Sequence, residues 1–132
     1  MSRRPKVQSF VITADPYRKD IFVCAGFKTL DQVLRRVKAL GFDKDQVAWI
    51  KKLDFSGYAF ATLNKDSCGV IKLPPYEDTW EFLGVVIHEL HHYVELLSDA
   101  LKFNDELEAK AYLQEHLFQV IRKRLQYGRA RK

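Results

Sequence analysis

The sequence has no long hydrophobic run and only a few cysteines and prolines. No apolar stretch approaches the roughly 20 residues that a membrane-spanning helix needs, so we expect no association with membranes. Cys24 and Cys68 are far apart and form no CxxC pair, which predicts reduced thiols rather than a disulfide or a cysteine-based zinc site. The basic stretch from Met1 to Lys6 is not followed by the apolar segment of a signal peptide. These absences together predict a cytoplasmic protein.

The composition is typical of a globular protein. Of the 132 residues, 47% are hydrophobic and 30% are charged, which predicts one domain over residues 1–132. The net charge of +5 is concentrated at the two ends, residues 1–6 and 128–132, which we expect to be flexible. Such basic ends could contact nucleic acid, although solvated termini are the simpler interpretation.

The first half of the chain predicts a hairpin followed by a helix. Val7 to Thr13 and Asp20 to Ala25 are rich in β-branched and aromatic residues and enclose an Asp-Pro turn signal. From Leu30 to Leu40 the apolar residues recur at helical spacing, with Thr29 as a cap and Gly41 as a stop. The stretch from Phe42 to Leu53 fits either a short helix or a strand.

A second hairpin and two long helices are predicted after that stretch. The strands run from Tyr58 to Leu63 and from Cys68 to Leu73, on either side of a polar turn. The first long helix begins at an Asp78 cap with Glu81 completing a capping box. The second runs from about Asp105 to Tyr127. The fold class is therefore α+β, an antiparallel or mixed sheet packed on these two helices, with one further helix in the N-terminal half.

The first long helix carries the segment His88-Glu89-Leu90-His91-His92, which contains His-Glu-x-x-His. Residues four apart lie on one face of a helix, so His88 and His92 can both direct a ring nitrogen at one metal ion. Glu89 projects about 100° round from His88, close enough to handle a water on that metal. This combination is typical of the ligand pair and the general base of a zinc hydrolase.

The apolar residues of this helix predict how it packs. One stripe recurs at spacings of three and four and comprises Trp80, Leu83, Ile87, Leu90, Val94 and Leu97. His88 and His92 fall on a different sector flanked by Val85 and Leu96, so we expect both faces to be partly covered. Imidazoles on a covered helix need polar partners, and a metal would supply them. His91 projects toward the edge of the stripe, where a role in the core edge or in support of the site is expected.

A catalytic zinc ion normally has three protein ligands and one open position. The metzincin pattern would need glycine and histidine where this chain has Glu95 and Ser98, so that class is excluded. The alternative is a glutamate on the next helix, and Glu106 and Glu108 are the two candidates. Glu108 projects beside the apolar face of that helix, which favours it as a ligand over its other role, a capping box with Asp105 as cap.

From Val70 to Leu125 the chain resembles the gluzincin group of zincin metallopeptidases, and in particular the small zincin-like proteins of phages and prokaryotic mobile elements. Those proteins pair His-Glu-x-x-His with a downstream Glu-x-x-Ala-Tyr, which Glu108-Ala109-Lys110-Ala111-Tyr112 matches. The resemblance implies a small zincin-like domain that holds Zn²⁺ through His88, His92 and Glu108. It also implies that the strand containing Val70, Ile71 and Lys72 pairs with an extended substrate. Tyr112 is then a candidate transition-state stabiliser, although simple packing is the commoner role of such a tyrosine.

The leading functional hypothesis is a zinc-dependent metallopeptidase that cleaves a peptide or protein substrate, with Glu89 as general base. It would work in the host cytoplasm, or in the virion if it is encoded by a phage. The alternative is a non-catalytic interaction or virion-associated protein that keeps the zincin fold. Nucleic-acid binding through the basic ends ranks last, because no DNA-binding motif is recognisable.

Overall fold

The structure is a computed structural model that describes residues 6–127. A four-stranded sheet is built from β1 (Gln8–Ala14), β2 (Lys19–Ala25), β3 (Phe60–Leu63) and β4 (Gly69–Leu73), in the order β1-β2-β4-β3. In this described part of the chain four helices accompany it: α1 (Leu30–Ala39), α2 (Lys44–Lys51), α3 (Trp80–Leu101) and α4 (Leu107–Tyr127). The predicted α+β class and mixed sheet are confirmed.

Both predicted hairpins are present. β1 pairs antiparallel with β2, from Gln8 opposite Ala25 to Ala14 opposite Lys19. β3 likewise pairs antiparallel with β4. The chain crosses from β2 through α1, α2 and β3 before β4 joins β2 in parallel, so β4 lies in the interior of the sheet.

The position of β4 corrects one prediction. Val70, Ile71 and Lys72 were expected on a strand that could pair with substrate, but β4 already pairs with β2 on one side and β3 on the other. Every residue of β4 is buried. The free edge on this side of the sheet belongs to β3, whose residues are all half-buried.

Helices α1 and α2 cover one face of the sheet. The Thr29 side chain accepts a hydrogen bond from Gln32 N and begins α1 as predicted, and Gly41 follows the helix with φ +86°. The ambiguous stretch from Phe42 to Leu53 forms α2, because the Asp43 side chain caps it in a capping box with Gln46. The N-terminal half therefore contains two helices instead of one.

Helices α3 and α4 cover the opposite face, and alternate residues of β2 divide between the two layers. Ile21, Val23 and Ala25 pack toward α3 and α4, whereas Phe22 and Cys24 pack toward α1 and α2. Because both faces of β2 are buried, its sequence is an almost continuous run of apolar residues. The two cores lie on either side of the sheet, and α3 packs beside β3 and β4.

The start of α3 differs from the prediction by one residue. The Thr79 side chain, not that of Asp78, accepts the capping hydrogen bond from Phe82 N at 3.1 Å. The first turn then begins at Trp80, and Asp78 is exposed. The expected Asp78–Glu81 capping box is therefore wrong.

The predicted apolar stripe of α3 is also wrong in part. Trp80 is 85% exposed and Ile87 is 47% exposed, so neither belongs to the core. Phe82, Val86 and Tyr93 are buried instead, together with Leu90, Val94 and Leu97 from the predicted set. The buried face is rotated relative to the prediction, and this rotation decides where the two histidines point.

The predicted flexible ends, apart from Lys6, lie outside the described residues. Lys6 is exposed, and its backbone oxygen accepts a hydrogen bond from Tyr76 N. None of the helices in the part of the chain that the structure describes is long and apolar enough to cross a membrane.

Candidate metal centre on helix α3

His88 and His92 lie on the solvent side of α3, opposite the core. His88 is nine residues before the fully buried Leu97, a spacing that places two side chains on opposite sides of a helix. Both imidazoles are exposed. The expectation that they lie on a partly covered sector is therefore wrong. His91, expected at the core edge, is exposed as well, and its ring centroid lies 6.2 Å from that of His92.

The two rings converge on one point in front of the helix. The Nε2 atoms of His88 and His92 are 3.1 Å apart, and the ring planes meet at 80°. Two nitrogens bound to one tetrahedral zinc ion at about 2.0–2.1 Å are roughly 3.4 Å apart. The pair therefore fits two of the four positions of a zinc ion with a shift of a few tenths of an ångström, or it shares one proton when no metal is bound.

Glu89 occupies the sheet side of the same helix. It is only 6% exposed and lies beside a cleft lined by Tyr58, Ala59, Gly84, Val85 and His88, together with Glu81. Among the described residues we find no donor that hydrogen-bonds to its carboxylate, and its oxygens are not among the buried atoms that lack a partner. The carboxylate therefore still reaches the solvent of the cleft.

The cleft runs between α3 and the segment that leads into the edge strand β3. Its volume is about 530 Å³, and it is open to solvent. Tyr58 forms one wall and is 70% exposed. A Cβ added to Gly84, one turn before His88, would meet nothing within 4 Å, so this part of the cleft floor is open space. This cleft was not identified from the sequence. Gly84, a small residue one turn before His88, was the signal that could have indicated open space there.

Lys72 holds the segment that forms the wall of the cleft in place, a role that was not predicted from the sequence. Its buried ammonium group donates hydrogen bonds to Phe55 O at 2.6 Å and to Gly57 O. Both carbonyls belong to the turn that immediately precedes Tyr58. The side chain thus ties the segment that forms the cleft wall to the central strand β4.

Glu108, the predicted third ligand, does not lie in the cleft with His88 and Glu89. It lies in the first turn of α4, exposed, nine residues before the fully buried Leu117 and so on the opposite side of that helix from the core. There it lines a groove with Asp15 and Tyr17, from the loop between β1 and β2. Within residues 6–127, no group of three or more His, Cys, Asp or Glu side chains is arranged to hold a metal.

The other candidates near the two motifs have different surroundings. Tyr112 is 74% exposed and lines the groove of Glu108, not the cleft of Glu89. Glu106 stands at the start of α4, where its backbone oxygen accepts the hydrogen bond of Lys110 N. Glu95 forms an ion pair with Lys110 at 2.9 Å, and this hydrogen bond lowers the pKa of the Glu95 carboxyl. The predicted set of three ligands is thus reduced to the histidine pair.

Comparison with known proteins does not extend this description. No family model, no curated protein and no solved structure matches the chain. The His88–His92 pair, Glu89 and the adjoining cleft are the features of the chain that bear on its function.

Proposed function

We propose that the protein is a metal-dependent hydrolase, most simply a zinc metallopeptidase of the zincin type. The observation that carries the proposal is the 3.1 Å separation of the Nε2 atoms of His88 and His92, beside a nearly buried glutamate that faces a cleft. The pair suits zinc because neutral imidazoles are among its preferred ligands.

In this proposal His88 and His92 hold the ion through their Nε2 atoms. Zinc bound there supplies Lewis acidity, which polarises a carbonyl group and makes a water molecule more acidic. Glu89 takes a proton from the attacking water onto its carboxylate while the water oxygen bonds to the scissile carbon. The same proton then passes to the leaving nitrogen as the carbon–nitrogen bond breaks, and Glu89 returns to its charged form.

The substrate in this proposal is an extended peptide lying in the cleft between α3 and the start of β3. An edge strand can accept a further strand through its unpaired backbone groups, and β3 is at the edge of the sheet. The exposed ring of Tyr58 offers a surface for an apolar or aromatic side chain, and Glu81 adds a negative charge near the same cleft.

The test combines metal content and hydrolysis. The purified protein, loaded with zinc and dialysed, is expected to retain zinc and to cleave unfolded casein or a mixture of quenched fluorescent peptides. Glu89→Gln should retain the metal but lose at least a hundredfold in turnover, because it cannot take the proton. His116→Ala, a histidine on α4 outside the cleft, is the matched control and should behave as the unmodified chain. Failure to bind zinc, or equal cleavage by Glu89→Gln, would contradict the proposal.

A second candidate function is a non-catalytic protein that keeps this fold for interactions. It is favoured by one observation, the separation of Glu108 from the histidine pair, since a catalytic zinc ion usually has three protein ligands. It predicts zinc binding without hydrolysis of any peptide in the mixture, together with a partner that co-purifies at fixed stoichiometry.

A further inference from the structure

Within residues 6–127, the histidine pair on α3 is incomplete as a metal site. Two imidazoles occupy two of the four positions around a tetrahedral ion. The described residues place no third histidine, cysteine or carboxylate with the pair. A metal bound by one chain therefore has to complete its coordination with groups from outside that chain.

We propose that a zinc ion bridges two copies of this chain, each of which contributes His88 and His92. The inference rests on the metal-binding part of the proposed function but not on hydrolysis. Two pairs at i and i+4 provide four imidazole nitrogens, a complete tetrahedral shell. A two-fold axis through the ion relates the copies, which is the commonest symmetry of homodimers.

The position of the pair on α3 permits this approach. His88 and His92 lie in the middle of a helix that spans Trp80–Leu101, on its exposed side. Both side chains are exposed, and His88 also borders the cleft beside Tyr58. Gly84, one turn earlier, presents bare backbone with nothing within 4 Å of an added Cβ, which lets a second helix come close.

The surface around the pair suits burial against a second copy. Ile87 and Leu96 flank the histidines on the two sides of the helix and are 47% and 42% exposed. Trp80 extends the same surface toward the start of α3 and is more exposed than either. Large apolar side chains that stay exposed around a polar centre are typical of interfaces between proteins. The ion would fix how the two copies are oriented, and these side chains would supply the apolar surface that the contact buries.

The bridge has a regulatory consequence for the proposed hydrolase. Zinc sites with four protein ligands are closed, whereas catalytic sites keep a position for water. A dimer with four imidazoles is accordingly a closed form, and a single chain with its own ion is an open form. The ratio of zinc to protein selects between them: half an equivalent favours the bridged dimer, and an excess favours one ion per chain.

The test is the mass of the full-length protein during a zinc titration, measured by sedimentation equilibrium. The expected result is a monomer of 15.5 kDa in EDTA, a species of twice that mass at half an equivalent of zinc, and a return toward the monomer at a large excess. His88→Ala and His92→Ala should each abolish the dimer at half an equivalent. The matched control His116→Ala should keep it, and circular dichroism confirms that each variant is folded.

Each other result identifies which proposal fails. A monomer throughout that binds one zinc per chain would overturn the bridge and leave the proposed metal site standing. A protein that binds no zinc would overturn both. A dimer that persists in EDTA, or in both histidine variants, would show an interface that does not depend on the metal and would overturn the bridge alone.

Discussion

The Nε2 atoms of His88 and His92 lie 3.1 Å apart on the exposed side of α3, within hydrogen-bond distance of each other. Without a metal, a hydrogen bond between the two Nε2 atoms holds the rings in this arrangement. A pair in this arrangement can chelate a metal with little loss of side-chain freedom, because both rings are already oriented. Glu89, the residue after His88, lines the cleft beside β3, which His88 also borders.

Replacing Glu108 with glutamine should leave zinc affinity unchanged within about twofold. The reason is that Glu108 lies in the groove beside Asp15 and Tyr17, apart from the histidine pair. His92→Ala should weaken the affinity by at least tenfold, since it removes one of two ligands and the 10- to 100-fold range is typical even of groups that only support a ligand. Isothermal titration with zinc measures both. A tenfold loss in Glu108→Gln would return Glu108 to the ligand set.

Much of the fold was predictable because local signals were strong. The hairpin from β1 to β2, the Thr29 cap and the stop at Gly41 each follow from a few neighbouring residues, and the structure contains all three. The stretch that became α2 was ambiguous from its apolar residues alone. The residue that favours a helix there is Asp43, whose side chain caps the first turn.

The rotation of the long helices was not predictable in the same way. In the middle of α3, Val85, Val86 and Ile87 are consecutive apolar residues, so more than one stripe fits the helical period. Only contact with the sheet selects Val86 for the core and leaves Ile87 exposed. The predicted position of Glu108 is wrong for the same reason. The buried face of α4 contains Leu113 and Leu117 but not Leu107, which is 75% exposed, so Glu108 is not beside the core.

The helix cap provides a direct test of where α3 begins. Thr79→Ala should lower the free energy of unfolding by about 1 kcal/mol, because Phe82 N loses the hydroxyl that accepts its hydrogen bond. Asp78→Ala, the matched control one residue earlier, should change it by less than about half of that amount. Urea unfolding followed by circular dichroism gives both values. If Asp78→Ala proved the more damaging, the helix would begin as the capping-box pattern suggested.

Two glycines should respond to alanine in opposite directions. A Cβ at Gly69 would lie 2.6 Å from Cε1 of the buried Tyr93, so Gly69→Ala should cost about 1–3 kcal/mol through overpacking. A Cβ at Gly84 meets nothing within 4 Å, and alanine favours a helix over glycine by roughly 1 kcal/mol, so Gly84→Ala should stabilise the protein. Thermal unfolding of the two variants shows whether each substitution raises or lowers the stability. Equal effects would contradict the tight contact between β4 and α3.

The two cysteines should differ in their reaction with a thiol reagent. Burial raises the pKa of the Cys24 thiol to about 12, whereas Cys68 is only partly buried and its pKa is raised less. In folded protein one thiol per chain should react, at a rate that rises about tenfold per pH unit between pH 7 and 8 because the thiolate is the reactive form. Cys68→Ser should remove this reaction, and Cys24 should react only in denaturant. Two reactive thiols in the folded protein would contradict the burial of Cys24 in the sheet.

Lys72 should stabilise both the fold and the wall of the cleft. In Lys72→Met the side-chain stem remains, but Phe55 O and Gly57 O lose their donor, so the free energy of unfolding should fall by about 1–3 kcal/mol. Hydrogen exchange should become faster in residues 55–60, the segment that leads through Tyr58 into β3, and change little in α4. Lys65→Met, which removes an exposed ammonium group from the turn between β3 and β4, is the control and should leave both measurements near their original values. Unchanged exchange in residues 55–60 would mean that the cleft wall is held by its other contacts, such as the edge-on packing of Phe55 and Phe60.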